Sequence, residues 1–308
     1  MTQLLQNACA EFYDRSESLT MLNLSARFIG SNGMKRLADS CCAPRPPKIT
    51  KRKVRPYHAP LVCLWLDDND LYPSAAEDLA RLILVSPSLR HLHLSHNYLS
   101  NHGARVVSNA CFSQVQVCNF TNNDIGVAGA RSLAENLKDP RCSVRTLVLD
   151  GNHLGDDGVK EIVEALKHNT TLKSLDLRFN NITKRGLGLL LELFRKGENL
   201  TLESLHLEED EDEKCARPNI QKGNPRIPSQ HLTAACLRRG CQCDICTIKS
   251  EIDYFLALNK AGRHSFSNLE LPTALWPRIL ARMTHQDPAL VYATICERPD
   301  IAMQEVDL

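Results

Sequence analysis

The sequence predicts an α/β solenoid: stacked units of one strand and one helix, with parallel strands on a concave face and helices on a convex face. Three observations predict it. The pattern Leu-x-x-Leu-x-Leu-x-x-Asn-x-Leu occurs seven times, opening at Leu19, Leu61, Leu89, Val115, Val144, Leu172 and Leu202. Successive openings lie 42, 28, 26, 29, 28 and 30 residues apart, a period typical of stacked-repeat architectures. After each copy comes a stretch with apolar residues at helical spacing, such as Val159, Ile162, Val163 and Leu166. Such a unit cannot bury its apolar face alone, so the units must stack on one continuous core.

Residues 1–18 carry Leu4, Leu5, Ala8, Cys9 and Phe12, a short amphipathic helix that would cap the first strand. They lack a basic n-region and a long apolar run, so no signal peptide is expected. The solenoid then spans 19–209. Repeat one has Arg27 where the pattern wants Asn, which predicts a looser or solvent-exposed turn. The long first spacing comes from a Pro-rich insertion at 44–60 holding the basic residues Lys51, Arg52, Lys53 and Arg55. It suits a nuclear-import patch, a contact for phosphate or acidic protein, or a solvated surface loop.

Repeats two to six place Asn69, Asn97, Asn123, Asn152 and Asn180 where the strand turns away. A carboxamide both donates and accepts, so it can satisfy the unpaired backbone of a buried turn. Cys118 replaces a core Leu as a small apolar residue. Glycines such as Gly129 and Gly186 mark tight backbone near helix starts, and Asp156 or Asp157 is a candidate N-cap.

The seventh copy runs into the acidic stretch Glu208 to Glu213, and 210–230 reads as an acidic and Pro-rich linker. Residues 231–308 read as a small helical C-terminal extension. Ile248, Ile252, Phe255 and Leu256 form one helical stripe with a stop at Gly262. A second helix would start near Leu271 and a third at Asp287-Pro288. Cys236, Cys241, Cys243 and Cys246 suit either a zinc site or buried thiols on a capping helix.

A formal charge of +1 on 308 residues argues against a nucleic-acid or anionic-membrane binder. No apolar run reaches the length of a membrane span. Thirteen cysteines without a signal peptide suggest reduced thiols in the cytoplasm or nucleus. No phosphate-binding Gly loop or nucleophile elbow is present, and an open sheet excludes little water, so no enzyme, metal or cofactor is assigned.

On these residues the chain resembles leucine-rich-repeat proteins of the ribonuclease-inhibitor-like class. The resemblance implies a leucine-rich-repeat solenoid, a horseshoe with strands inside and full helices outside. It implies no particular role, because this class hosts many. The phrase YFLALNKAGR at 254–263 with LWPRIL after it is similar to tails on leucine-rich-repeat proteins of unicellular algae. Repeats followed by the acidic run also resemble the Ran GTPase-activating protein, which implies a small GTPase as partner. Leu271-Pro272-x-x-Leu275-Trp276-x-x-Ile279-Leu280 looks like an F-box opening, which implies a ubiquitin-ligase adaptor.

The leading expectation is a non-enzymatic scaffold that binds another protein on the concave face. Side chains between the core leucines alternate outward there. They give Trp65, Asp67, His91, His93, Asn119, Asp150, Asp176 and Arg178 as the partner-binding set. Trp65 is the informative member, since an open Trp offers large contact area at little entropy cost. Alternatively the basic insertion folds over it.

Overall fold

A computed structural model describes residues 20–42, 61–207 and 244–260. Among them lie seven strands: β1 (Met21–Asn23), β2 (Cys63–Trp65), β3 (His91–His93), β4 (Val117–Asn119), β5 (Thr146–Val148), β6 (Ser174–Asp176) and β7 (Ser204–His206). Helices alternate with them: α1 (Gly30–Cys42), α2 (Ala76–Leu84), α3 (Ser100–Cys111), α4 (Val127–Lys138), α5 (Gly155–Leu166), α6 (Lys184–Arg195) and α7 (Asp244–Lys260). The strands form one open parallel sheet in chain order, each paired with the next in the same register. This is the leucine-rich-repeat solenoid. No helix among the described residues is long and apolar enough to cross a membrane.

The register follows from the pattern. Leu64, Leu92, Cys118, Leu147 and Leu175 pair in one row, and all are fully buried. The flanking apolar positions, such as Leu61 and Leu66 or Leu172 and Leu177, are equally buried and meet the apolar faces of the helices. Each strand is only three residues long, so its edges contribute little by themselves. The continuous core supplies the cohesion.

The asparagines act between repeats. Asn97 Oδ1 accepts the N–H groups of Asn69 and Leu71 in the preceding turn, while its Nδ2 donates to Leu66, Leu94 and Ser95 carbonyls. Asn152 does the same for Asn123 and Ile125. Each carboxamide therefore organises the turn before its own. Of the two expectations for the first turn, looser or solvent-exposed, the second holds. Arg27 is solvent-exposed, yet its N–H and that of Ile29 donate to Asn69 Oδ1, so the neighbour's Asn holds the turn. The turn residue before the Asn position sits in left-handed backbone in six repeats: Ala26, Asp68, His96, Asn122, Gly151 and Phe179, at φ between 50° and 68°.

Helix capping is also passed between repeats. Asp156 does not cap its own helix: α5 begins at Gly155 after Leu154, with no side-chain cap. Its carboxylate instead accepts from Thr183 N–H, Thr183 Oγ–H and Gly186 N–H at the start of α6. Asn101 in α3 likewise accepts from Gly126 and Gly129 N–H at the start of α4.

Helix α7 begins 42 residues after Leu202, whereas α3 to α6 begin 11 or 12 residues after their first core residue. It nevertheless packs against α6 and β7 as the convex helix of repeat seven. Ile252, Phe255 and Leu256 are buried in the common core, and Arg195 of α6 pairs with Glu251. Part of the sequence assigned to a C-terminal extension thus completes the solenoid. The expected cap at 1–18, the insertion at 44–60, the four clustered cysteines other than Cys246, the acidic linker and the later tail helices lie outside the described residues. The same holds for the basic residues Lys51, Arg52, Lys53 and Arg55. Of Cys246 only its place in α7 is described.

Candidate protein-binding face

The helix-free face of the sheet is lined by the residues flanking the central core row. Backbone alternation turns Cys63, Trp65, His91, His93, Val117, Asn119, Thr146 and Val148 toward it, all half-buried. The sequence-predicted residues fall into two groups on it.

The first group lies on β2 and β3. Trp65 and His93 are paired in register, and their rings stack at 5.6 Å between centroids and 16° between planes. Burial pushes the His93 pKa below the ordinary 6.5; Asp67 opposes this and His91 adds to it. His93 therefore presents a neutral ring at physiological pH. Asp67 is tied down: Oδ1 accepts from Ser95 N–H at 2.8 Å and Ser95 Oγ–H at 2.5 Å, and Oδ2 accepts from Ser25 Oγ–H at 3.2 Å. It stitches three repeats together and keeps partial exposure.

The second group lies at β5 and β6. Arg178 donates from Nε and Nη2 to the Asp176 carboxylate, and its Nη2 stands 3.7 Å from Asp150 Oδ2. Asp176 was expected on the surface; it is buried at 6% exposure, because Arg178, two residues on, lies over it. Arg178 is the exposed part of the pair. Asp150 keeps a buried Oδ1 with no hydrogen-bond partner. Burial raises its pKa, the Asp176 charge raises it further, and Arg178, His96 and Gly151 N–H partly offset this.

Asn119 stands between the groups on β4, its Oδ1 accepting from Thr121 N–H. With strands about 4.8 Å apart, β2 and β6 are on the order of 19 Å apart. The two groups are ends of one extended surface rather than one pocket. Among the described residues no group of three or more His, Cys, Asp or Glu is placed to hold a metal ion.

Sequence reading missed the aromatic rim beside this face. Tyr72 and Tyr98 stack at 5.2 Å and are about half exposed, and Phe28 and Phe179 are more exposed still. The available signal was an aromatic residue at a turn position of the repeat where nothing apolar is required. Asn122 and His96, 3.2 Å apart on adjacent turns, were also missed as a pair.

A leucine-rich-repeat family model matches residues 85–108, 142–163 and 168–191. Ribonuclease inhibitor of Sus scrofa is 25% identical over 194 residues, which are 53% of this chain and 41% of that protein. The chain carries leucine-rich repeats of the ribonuclease-inhibitor-like class. Protein CARMIL of Dictyostelium discoideum is 28% identical over 190 residues, 56% of this chain and 18% of that protein. NACHT, LRR and PYD domains-containing protein 2 of Homo sapiens is 28% identical over 181 residues, 59% of this chain and 13% of that protein. This leucine-rich-repeat chain thus spans less than half the length of each of these relatives. Among solved structures, leiomodin-1 actin-binding site 2 aligns at TM-score 0.34 and 12% identity, over 87% of this chain and 96% of that chain. That superposition is too loose to argue from.

Proposed function

We propose that this leucine-rich-repeat scaffold binds its protein partner on the helix-free face, anchored at Trp65 and His93. The observation that carries the reading is the Trp65–His93 stack. It is an aromatic platform held in place by a neighbouring strand and half-exposed. Such a preorganised Trp has little entropy to lose on contact and suits a hot spot. Arg178 and Asp150 offer charged contacts at the far end. The reading carries no catalytic step, and no observation favours the GTPase-activator or ubiquitin-ligase alternative over it.

The test compares proteins captured from the source-cell extract by the wild type, by Trp65→Ala plus His93→Ala, and by Arg131→Glu on the helix side. Loss of a hot-spot Trp costs at least about 2 kcal/mol, or about 30-fold in affinity. A partner lost only with the Trp65 and His93 substitutions supports the reading. A capture list that is the same for all three chains sinks it, provided thermal melting shows all three folded.

A further inference from the structure

All strands of the sheet run parallel, so each enters at one rim and leaves at the other, and the two rims differ in charge. The entry rim is basic. Arg90, Arg145 and Lys173 immediately precede β3, β5 and β6. Arg145 is exposed, and Lys173 pairs with Glu203 at 2.7 Å.

The exit rim is acidic. Between strand and helix in repeats two to five run residues 66–75, 94–99, 120–126 and 149–154. They hold Asp67, Asp68, Asp70, Asp124 and Asp150, and no Lys or Arg. Asp68 and Asp124 are exposed, and the other three are half-buried. Among the described residues, the basic groups within 4 Å of these carboxylates are His153, 3.6 Å from Asp124, and Arg178, 3.7 Å from Asp150. Arg178 already gives its fork to Asp176. The rim therefore presents negative charge that the sheet itself leaves largely uncompensated.

Aromatic rings stand among these carboxylates. Tyr72 and Tyr98 lie on adjacent turns of the same rim, where Tyr98 N–H donates to Leu71 C=O. Their rings stack at 5.2 Å and stay about half exposed. An open tyrosine face attracts a guanidinium or ammonium through its ring quadrupole, and flanking carboxylates favour the same ligand. Further onto the face the polarity falls. The row nearest the entry rim, made by the first residue of each strand, carries no carboxylate and includes Met21, Cys63 and Val117.

We propose that the segment of partner protein taken by this face is basic and lies along the exit rim. Its Arg or Lys side chains stand against Asp68, Asp70 and Asp124 and over the Tyr72–Tyr98 stack, and its apolar side chains rest on Trp65 and Val117. The proposal rests on the reading that the helix-free face is the binding face, and adds the sign of the partner's charge. The basic entry rim opposes the reverse placement, since like charges brought together suppress the wrong orientation.

Fluorescence anisotropy on the full chain tests this with two labelled peptides, one of Arg-Leu-Ser repeats and one with Glu in place of every Arg. The Arg peptide is expected to bind on the order of tenfold tighter or more at low salt, with the gap narrowing as salt screens it. Asp68→Lys plus Asp124→Lys should reverse the order of the two peptides. Glu135→Lys plus Glu161→Lys, the same change in net charge on the convex helices, should leave it unchanged. Tyr98→Leu keeps apolar area and should weaken the Arg peptide alone, by roughly 2- to 5-fold. Trp65→Ala plus His93→Ala should weaken it as well. Equal binding of the two peptides, lost with the Trp65 and His93 substitutions, overturns the basic partner and leaves the binding face standing. Arg-peptide binding untouched by those substitutions sinks the face, and this proposal with it. A preference that survives the exit-rim reversal, or no binding of the Arg peptide, overturns the proposal. So does binding that appears only when Lys51, Arg52, Lys53 and Arg55 are replaced by Ser, because the chain's own basic insertion would then hold the rim.

Discussion

Asp150 is the residue at which stability and binding pull apart. Its folded pKa lies above the ordinary 3.8, mainly through burial and then through the Asp176 charge. A carboxyl with a raised folded pKa binds its proton more readily in the folded state than in the unfolded one. Stability therefore falls as pH rises from 3.8 through the folded value, and the cost persists at neutral pH. Arg178 only partly offsets it, since Asp176 already takes its fork. Asp150→Asn should stabilise the chain at pH 7 by about 0.5 kcal/mol, discounted for solvent screening, with the gain vanishing below the carboxylate range. Urea midpoints at pH 7 and at pH 3 check this. A destabilised Asp150→Asn at pH 7 would mean that the 3.7 Å approach to Arg178 outweighs burial. At this scale, strand alternation made Trp65 and His93 legible as neighbours on one face. The burial of Asp176 was not legible, because alternation says which way a side chain starts but not what a longer neighbour lays over it.

Among elements, the starts of α4 and α6 are held by an acceptor from the helix before them, and at α6 this adds to the local N-cap Thr183, whose Oγ accepts from Arg185 N–H. Asp156 joins α5 to α6, and Asn101 joins α3 to α4. Burial works against the Asp156 charge, but the hydrogen bonds from Thr183 and Gly186 with the Arg185 charge outweigh it and lower its pKa. This contribution is present above pH 3.8 and is lost as pH falls through the lowered folded value. Asp156→Ala and Asn101→Ala should each cost about 1 kcal/mol at neutral pH. Gly186 has no room for a side chain: a Cβ there would lie 2.5 Å from Asp156 Oδ1 and 2.7 Å from Ile182 Cγ2. Gly186→Ala should therefore destabilise despite the better helix propensity of Ala. It should cost less in an Asp156→Ala background, with a coupling of at least about 0.5 kcal/mol in a double-mutant cycle. Strict additivity would show that the clash with Ile182 alone sets the cost. The sequence made the helices legible through their apolar stripes. It hid the caps because the acceptor and its N–H groups lie 25 to 30 residues apart, far outside the four-residue window of a local capping motif.

In the whole molecule, repeats are coupled only to their neighbours, so where a bond is removed matters as much as which bond it is. The regular period made repeats one to six legible. The strand of repeat seven was legible too, but its helix was not, because it stands 42 residues after Leu202 and an apolar stripe does not say which surface it will meet. The asparagine ladder shows the consequence of nearest-neighbour coupling. Asn69 Oδ1 holds the turn of repeat one, at the end of the described stack. Asn97 joins repeats two and three in the interior, and its loss leaves the N–H groups of Asn69 and Leu71 buried without acceptors. At about 1–3 kcal/mol for each orphaned group, Asn97→Ala should cost roughly 3 kcal/mol or more. The damage sits at one junction, so repeats one and two should lose protection from amide exchange together while β5 and β6 keep theirs. Asn69→Ala should fray the first repeat alone and leave the main denaturation midpoint nearly unchanged. Equal midpoint shifts for the two substitutions would mean that the solenoid unfolds as one cooperative block, with junction energies too large for any single carboxamide to uncouple.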